Sequence, residues 1–387
     1  MSIGMRKDMN KKILFILNVA SRVNSFSYTS MLAAKTQNMD FHIAGNWGYV
    51  SDEQRKDDER KYGIHIHQID FVRKPYNLQN YNAYKQLCNV IHENCIDYIH
   101  CNTPIGGLCG RIAGRKYKLE KVIYQVHGFH FYKGAPLLNK LIYYPIERFL
   151  AKYTDALITI NHEDFKAAQK LKLRNNGKVY YVHGVGVDTS EYVNIEVDKA
   201  KKRKDINVDK DDFVVVSVGR LDSNKNNKTV IKAVAKANNP KIKFILCGDG
   251  DEREELKQLA DEFGVGRQVV FLGNRTDVKE IYSVADCFVI ASFREGLSRS
   301  LMEAMASGLP CIVSDIRGNV DLIENKVNGY VCKVSDYKAF ADAINNLSTN
   351  VRLCKKMSEL NIEKVQEYSV SVVEKEMQEI YSKVFEY

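Results

Sequence analysis

The stretch that most limits what this chain can fold into is 286–315, ADCFVIASFREGLSRSLMEAMASGLPCIVSD. An apolar run at 287–291 predicts a buried strand. The polar turn 292–297 leads into a helix ending near 307, a Gly-Leu-Pro break follows, and 311–314 reads as a second strand. Two strands joined by a helix of this length form a βαβ unit, so the sheet is parallel. Ligands of such sheets gather at the carboxyl ends of the strands, where Arg294, Glu295 and Gly296 stand. Gly296 allows close backbone approach, and the following helix start presents amides and a positive dipole end. The turn therefore suits an anion, while Glu295 and Glu303, eight positions apart, suit hydroxyls. Ser300 and Glu303 also spell a capping box, a purely structural way to begin the helix.

The same alternation fills the chain. Strands are expected at 13–19, 41–44, 64–69, 98–101, 121–126, 155–160 and 179–182, with helices between several of them. A second set follows at 213–218, 242–247, 269–272, 287–291 and 311–314, with helices at 336–347 and 369–385. This predicts an α/β chain of two doubly wound parallel-sheet domains facing a cleft, a usual place for ligands. The intervening 184–211 reads as a linker, its KKRKDINVDKDD run a solvated face.

Composition narrows the class. A chain of 387 residues exceeds one ordinary core. Its formal charge of +9 suits an anionic partner. The basic residues are dispersed and no nucleic-acid module is present, which leaves no nucleic-acid partner. Nine cysteines, without C-x-x-C, fit reduced core thiols in a cytosolic protein. Arg6, Lys7, Lys11 and Lys12 before ILFILNVA imitate a signal peptide, but the run is short and is expected to be a first strand without cleavage.

Three further motifs carry chemistry. Arg220 offers a planar fork and Lys225 a mobile cation for phosphate oxygens. Asp249 and Asp251, on a tight turn, are expected to be turn residues, and no metal site is expected. His127 ends a strand, where a buried structural role competes with a catalytic one. Residues 130–155 interleave Lys133, Lys140, Arg148 and Lys152 with leucines and aromatics. That pattern fits a helix on an anionic membrane face or an amphipathic core helix with a solvated basic side.

Gly219-Arg220-Leu221 with Lys225, the Glu295/Glu303 pair and Ala304-Met305-Ala306-x-Gly308-x-Pro310 together resemble glycosyltransferase family 4, retaining enzymes of GT-B fold. HCNTPIGGLCGR and the segment from VIYQVHGFHFYKG onward resemble its bacterial exopolysaccharide and capsule branch. The resemblance implies an acceptor domain at 1–186, a nucleotide-sugar domain at 187–368 and a helix at 369–387 crossing back to the first. It implies that Arg220, Lys225 and the backbone of Gly296, Leu297 and Ser298 bind the donor diphosphate. Glu303 would hold the ribose, and Glu295 and His127 would touch the transferred sugar. A UDP-sugar donor, an undecaprenyl-diphosphate saccharide acceptor, no metal or other cofactor, and a peripheral place on the cytoplasmic face of the membrane are the expectations. Rivals are a UDP-sugar 2-epimerase and a non-catalytic nucleotide-sugar-binding assembly partner. One departure stands out: the family's glycine-rich loop after the first strand is here 18–24, NVASRVN, without glycine.

Overall fold

A computed structural model describes residues 10–23, 25–193 and 195–386. Arg6, Lys7 and Asn24, which entered the sequence reading, lie outside the described residues. Two compact units form: one runs to Gly186 and takes back the segment from Val370, the other is Val187–Ser369.

The first unit holds β1 (Lys12–Val19), α1 (Ser25–Thr36), β2 (Asp40–Asn46), α2 (Asp52–Tyr62), β3 (His65–Gln68), α3 (Gln79–Glu93), β4 (Tyr98–Asn102), α4 (Pro104–Lys116), β5 (Lys121–Val126), α5 (Leu137–Ala151), β6 (Ala156–Thr159), α6 (His162–Ala168) and β7 (Lys178–Tyr181). Its sheet runs β3-β2-β1-β4-β5-β6-β7, every pair parallel. Parallel strands are covered on both faces, which is why Leu14, Phe15 and Ile16 are all fully buried. Helix α4 packs tightly because it is rich in glycine. A Cβ on Gly107 would stand 2.3 Å from the Tyr124 ring, and one on Gly114 would stand 2.5 Å from Val122.

The second unit holds α7 (Lys199–Asp205), β8 (Phe213–Val218), α8 (Asn227–Ala237), β9 (Ile242–Cys247), α9 (Arg253–Glu262), β10 (Val269–Gly273), α10 (Val278–Val284), β11 (Cys287–Ile290), α11 (Arg299–Ala306), β12 (Cys311–Ser314), α12 (Asn319–Leu322), β13 (Gly329–Cys332), α13 (Tyr337–Thr349) and α14 (Val351–Val365). The sheet order β10-β9-β8-β11-β12-β13 repeats that of the first unit. In each sheet the order reverses beside the first strand, which opens a crevice at the carboxyl ends.

The structure corrects two expectations. The 184–211 stretch is not a bare linker, because α7 docks on the second unit. Lys202, nearly buried, pairs with Asp277 at 2.7 Å and with Glu280, while Arg203 reaches Asp286 at 2.9 Å. Nor does α11 begin with a Ser300 box: Ser298 is its N-cap, accepting from the Leu301 N–H at 3.4 Å.

After the second unit, α15 (Val370–Phe385) belongs to the first and packs on α1. Tyr381 meets His100 Nδ1 at 2.8 Å, and Glu376 Oε1 lies 2.6 Å from His183 Nδ1.

Candidate active site

Four loops build the crevice of the second unit. β8 leads into Gly219–Asn226 and β11 into 291–298. The loop after β9 supports the first of these and the loop after β12 supports the second. Gly219 and Gly248 sit at φ +153° and +141°, and a Cβ on Gly248 would lie 1.9 Å from Gly219 O. Only glycine fits that backbone-on-backbone contact. Asn224 donates its side-chain N–H to Arg294 O at 2.9 Å, and the Phe293 N–H reaches Asn224 O at 2.8 Å. Asn226, buried and left-handed, donates to Ala291 O and Val334 O, both at 3.1 Å. From below, Ser314 Oγ donates to Ser292 O at 2.7 Å and Arg317 Nε to Glu295 O at 3.2 Å. A Cβ on Gly318 would lie 2.4 Å from Gly296 O.

This scaffold brings Lys225 Nζ to 2.8 Å from Glu295 Oε1, both side chains mostly shielded. Arg220 pairs with Asp251 at 2.9 Å on the exposed rim of the same loop. Asp249 faces Arg253 at 3.5 Å, so each carboxylate of the GDGD turn already has a cation. Glu303 lies one helical turn inside α11, 14% exposed, accepting from Arg299 Nε at 2.8 Å. Burial, and then Glu303, raises the Tyr192 hydroxyl above its ordinary range. Leu297 packs into the core and the Ser298 hydroxyl is spent on capping, so both offer only backbone to a ligand. Amides 298–300 precede the helix's first internal bond, Met302 N–H to Ser298 O.

The crevice of the first unit is neutral. Asn18 Oδ1 accepts from Thr103 Oγ1 at 2.9 Å and from the Gly106 N–H at 2.8 Å. Thr103 takes φ +64°, a strained value for a β-branched residue. His127 stacks on Phe26 with centroids 4.2 Å apart, and its Nε2 lies 3.1 Å from Asn102 Oδ1. That acceptor makes Nε2 the donor and leaves Nδ1 without its proton. Desolvation depresses the ring to about 3, so it is neutral at pH 7. The glycine-free loop is held from α2. Arg22 grips the buried Asp58 at 2.6 and 2.8 Å, and the Val23 N–H adds a third bond at 3.1 Å.

Sequence reasoning missed Asn18, Asn102, Thr103, Asn224, Asn226, Arg317 and Gly318. Only the left-handed Asn226 and the Ile-Arg-Gly-Asn turn carried a local signal.

The family model for "Glycosyl transferases group 1" matches residues 198–364, and that for "Glycosyl transferase 4-like" matches 12–161. The chain is 35% identical over 383 residues, 97% of each chain, to EpsD of Bacillus subtilis (strain 168), a protein assigned as a glycosyltransferase. It is 31% identical over 245 residues to an Escherichia coli protein, covering 62% of this chain and 63% of the other. That relative is named UDP-Gal:alpha-D-GlcNAc-diphosphoundecaprenol alpha-1,3-galactosyltransferase. Among solved structures, Anabaena Alr3699/HepE in complex with UDP superposes with a TM-score of 0.76. Its sequence is 22% identical, covering 96% of this chain and all of that one, which is a likeness of fold.

Proposed function

The chain belongs to glycosyltransferase family 4, with the GT-B fold, and from that premise we propose that it transfers a sugar from a UDP-sugar to an undecaprenyl-diphosphate-linked saccharide with retention at the anomeric carbon. The observation that carries this reading is the shielded Lys225–Glu295 pair beside the α11 amides. In the free site each charge neutralises the other. An arriving diphosphate competes for Lys225, and Glu295 is released toward the sugar hydroxyls. Lys225, the α11 amides and, after swinging from Asp251, Arg220 then bear the charge that grows on the departing UDP. Preorganised donors of this kind contribute about 3–4 kcal/mol each to a barrier.

Glu303 takes the ribose hydroxyls, which compete with Arg299 for its carboxylate. His127, neutral, hydrogen-bonds the sugar or acceptor through Nδ1 rather than attracting it by charge. The acceptor oxygen bonds to the anomeric carbon on the face that UDP leaves, and its proton passes to the leaving phosphate oxygen. We assign the reaction no metal, because Lys225 and the amides supply the positive charge and Asp249 and Asp251 each face an arginine. The E. coli relative's named substrate supports the lipid-diphosphate acceptor. No described helix is long and apolar enough to cross a membrane, and we place the reaction at the cytoplasmic membrane surface with the chain bound peripherally.

Ligand-observed NMR against a panel of UDP-, GDP- and other nucleotide sugars tests the reading. Selective UDP-sugar binding, slow release of UDP and sugar, and the same rates in EDTA are expected. Glu295→Ala should lose turnover and leave UDP affinity equal or higher, because Lys225 no longer has to leave a carboxylate. Conversion to an epimeric nucleotide sugar would replace the transferase with an epimerase, and binding without any turnover would favour the assembly-partner role.

A further inference from the structure

The second unit carries a groove that its crevice does not use. Between α12, the 323–328 loop and the last turns of α14 lies a space of about 680 Å³. Sites that enclose ligands run to about 300–1,000 Å³. Val320 and Val327 are 46% and 39% exposed within it, and Val331 and Leu360 add half-buried apolar surface. Leu360, Glu363, Lys364 and Glu367 follow at helical spacing, so one face of α14 and the turn after it forms a wall.

Buried amides hold this shape. Asn361 is fully buried and Asn328 nearly so. Asn328 Nδ2 donates to Leu322 O at 3.0 Å and to Asn361 Oδ1 at 2.9 Å, and Asn361 Nδ2 donates to Leu309 O at 2.8 Å. Asn328 Oδ1 accepts the Glu324 N–H at 2.8 Å. A buried network satisfied in this way rigidifies the walls it joins. The outer edge of β13 is closed as well. The Val331 N–H reaches Asn325 Oδ1 at 3.0 Å, and Gly329 O accepts the Lys326 N–H at 2.7 Å. An added strand would have to displace these bonds, so the groove is shaped for side chains.

Its charge opposes that of the chain, which is +9 overall. Glu324, Glu363 and Glu367 stand exposed on the rim, and the one lysine of the lining, Lys364, lies 2.6 Å from Glu367. Among the described residues Glu324 and Glu363 have no ion-pair partner.

We propose that this groove docks a cationic amphipathic helix of a partner protein, and that the docked helix tightens the donor site. The apolar floor takes the aliphatic stripe of such a helix, and the unpaired glutamates take its lysines or arginines. An anionic bilayer or a nucleic acid meets those glutamates as like charge, and a second copy brings +9 against +9. The coupling runs through α12. Asp321 Oδ2 accepts the Gly318 N–H at 2.8 Å, Tyr368 donates its hydroxyl to Asp321 O at 3.1 Å, and Gly318 packs against Gly296 O. A helix seated on Val320 and Val327 restrains α12 and, with it, the donor turn. By reciprocity UDP tightens the docked helix by the same factor. The docking stands on the groove alone, and the coupling rests on the donor reading proposed above.

A labelled lysine–leucine peptide of about 14 residues, its leucines at helical spacing, is the probe for the full chain. Fluorescence anisotropy should show binding that salt weakens and that a scrambled peptide of equal composition lacks. Glu324→Lys/Glu363→Lys changes two exposed positions outside the crevice. This variant should bind the peptide about tenfold more weakly, with UDP affinity in its absence unchanged. Saturating peptide should tighten UDP about fivefold by calorimetry in the wild type and leave the variant as it was. No binding, equal binding of the scrambled peptide, or full binding by the variant would overturn the docking. So would a dimer that Val327→Asp dissociates, which would give the groove to a second copy. Unchanged UDP affinity with the peptide bound would overturn the coupling. A chain that binds the peptide but never UDP would remove the donor reading and the coupling together, while the docking would stand supported.

Discussion

The two units share a strand order and differ in what they place at its reversal. In the second unit the crevice carries Lys225, Glu295 and Glu303, with Arg220 on the rim, every one in an ion pair. In the first unit the corresponding place holds Asn18, Asn102, Thr103 and a histidine kept neutral by burial. In the reaction proposed above, one scaffold presents charge to the donor diphosphate and the other presents dipoles to hydroxyls. The difference extends to the whole composition: all nine histidines fall within the first unit and none in the second.

The sharpest way to break this comparison is to remove a charge on one side and a dipole on the other. Lys225→Ala should cut kcat by about 10²–10³-fold, the usual cost of one preorganised contact to a leaving group. His127→Ala, losing one neutral hydrogen bond, should cost about 10-fold. Comparable losses in steady-state kinetics would erase the distinction between the two crevices.

Acid should separate the units next. Burial lowers His42 and His100 from 6.5 to about 3, and His67 to about 4. Their folded state binds fewer protons than the unfolded chain. The stability they contribute is therefore complete above pH 6.5 and is lost as pH falls toward those values, by roughly 2 kcal/mol per buried histidine at pH 5. In the second unit Asp277 is held below its ordinary 3.8, chiefly by Arg275, and its contribution begins to fade only near pH 4. Hydrogen exchange at pH 7 and pH 5 should show amides of β1, β2 and β4 losing protection while those of β8, β9 and β11 keep theirs. Parallel loss in both units would refute the assignment.

Two smaller effects sharpen the picture within the second unit. Gly318→Ala should push against Gly296 O and weaken UDP binding several-fold by calorimetry, with a stability cost of about 1–3 kcal/mol for a side chain at φ +78°. Asp251→Asn, at an exposed pair, should change stability by less than about 1 kcal/mol. It should leave UDP affinity equal or higher, because Arg220 no longer has to leave a carboxylate.

Much of this was legible because parallel strands, buried on both faces, spell continuous apolar runs such as ILFILNV and FVVVSV. Each run fixed a strand, and the turn after it marked a possible site, which is how Glu295 and Lys225 were found. Helix α2 escaped because DEQRKDDERKY has no apolar stripe. Its signals were the Ser51/Gln54 capping box and the left-handed Gly63. Helix α7 escaped because Lys202 gives no hint, in sequence, that Asp277 and Glu280 await it. Arg317 and the Asn18–Thr103 bond span loops far apart in the chain, and no local pattern encodes such contacts.

Helix α15 sets the order of events on the ribosome. The seven strands of the first unit emerge early, but Tyr381 and Glu376, the partners of His100 and His183, are translated only after the whole second unit. At roughly 5–20 residues per second that interval is on the order of ten to forty seconds. Throughout it the nascent first unit lacks Phe385, whose ring lies 4.6 Å from that of Tyr98, and the cover that α15 gives to α1. The unit made first is therefore the one finished last.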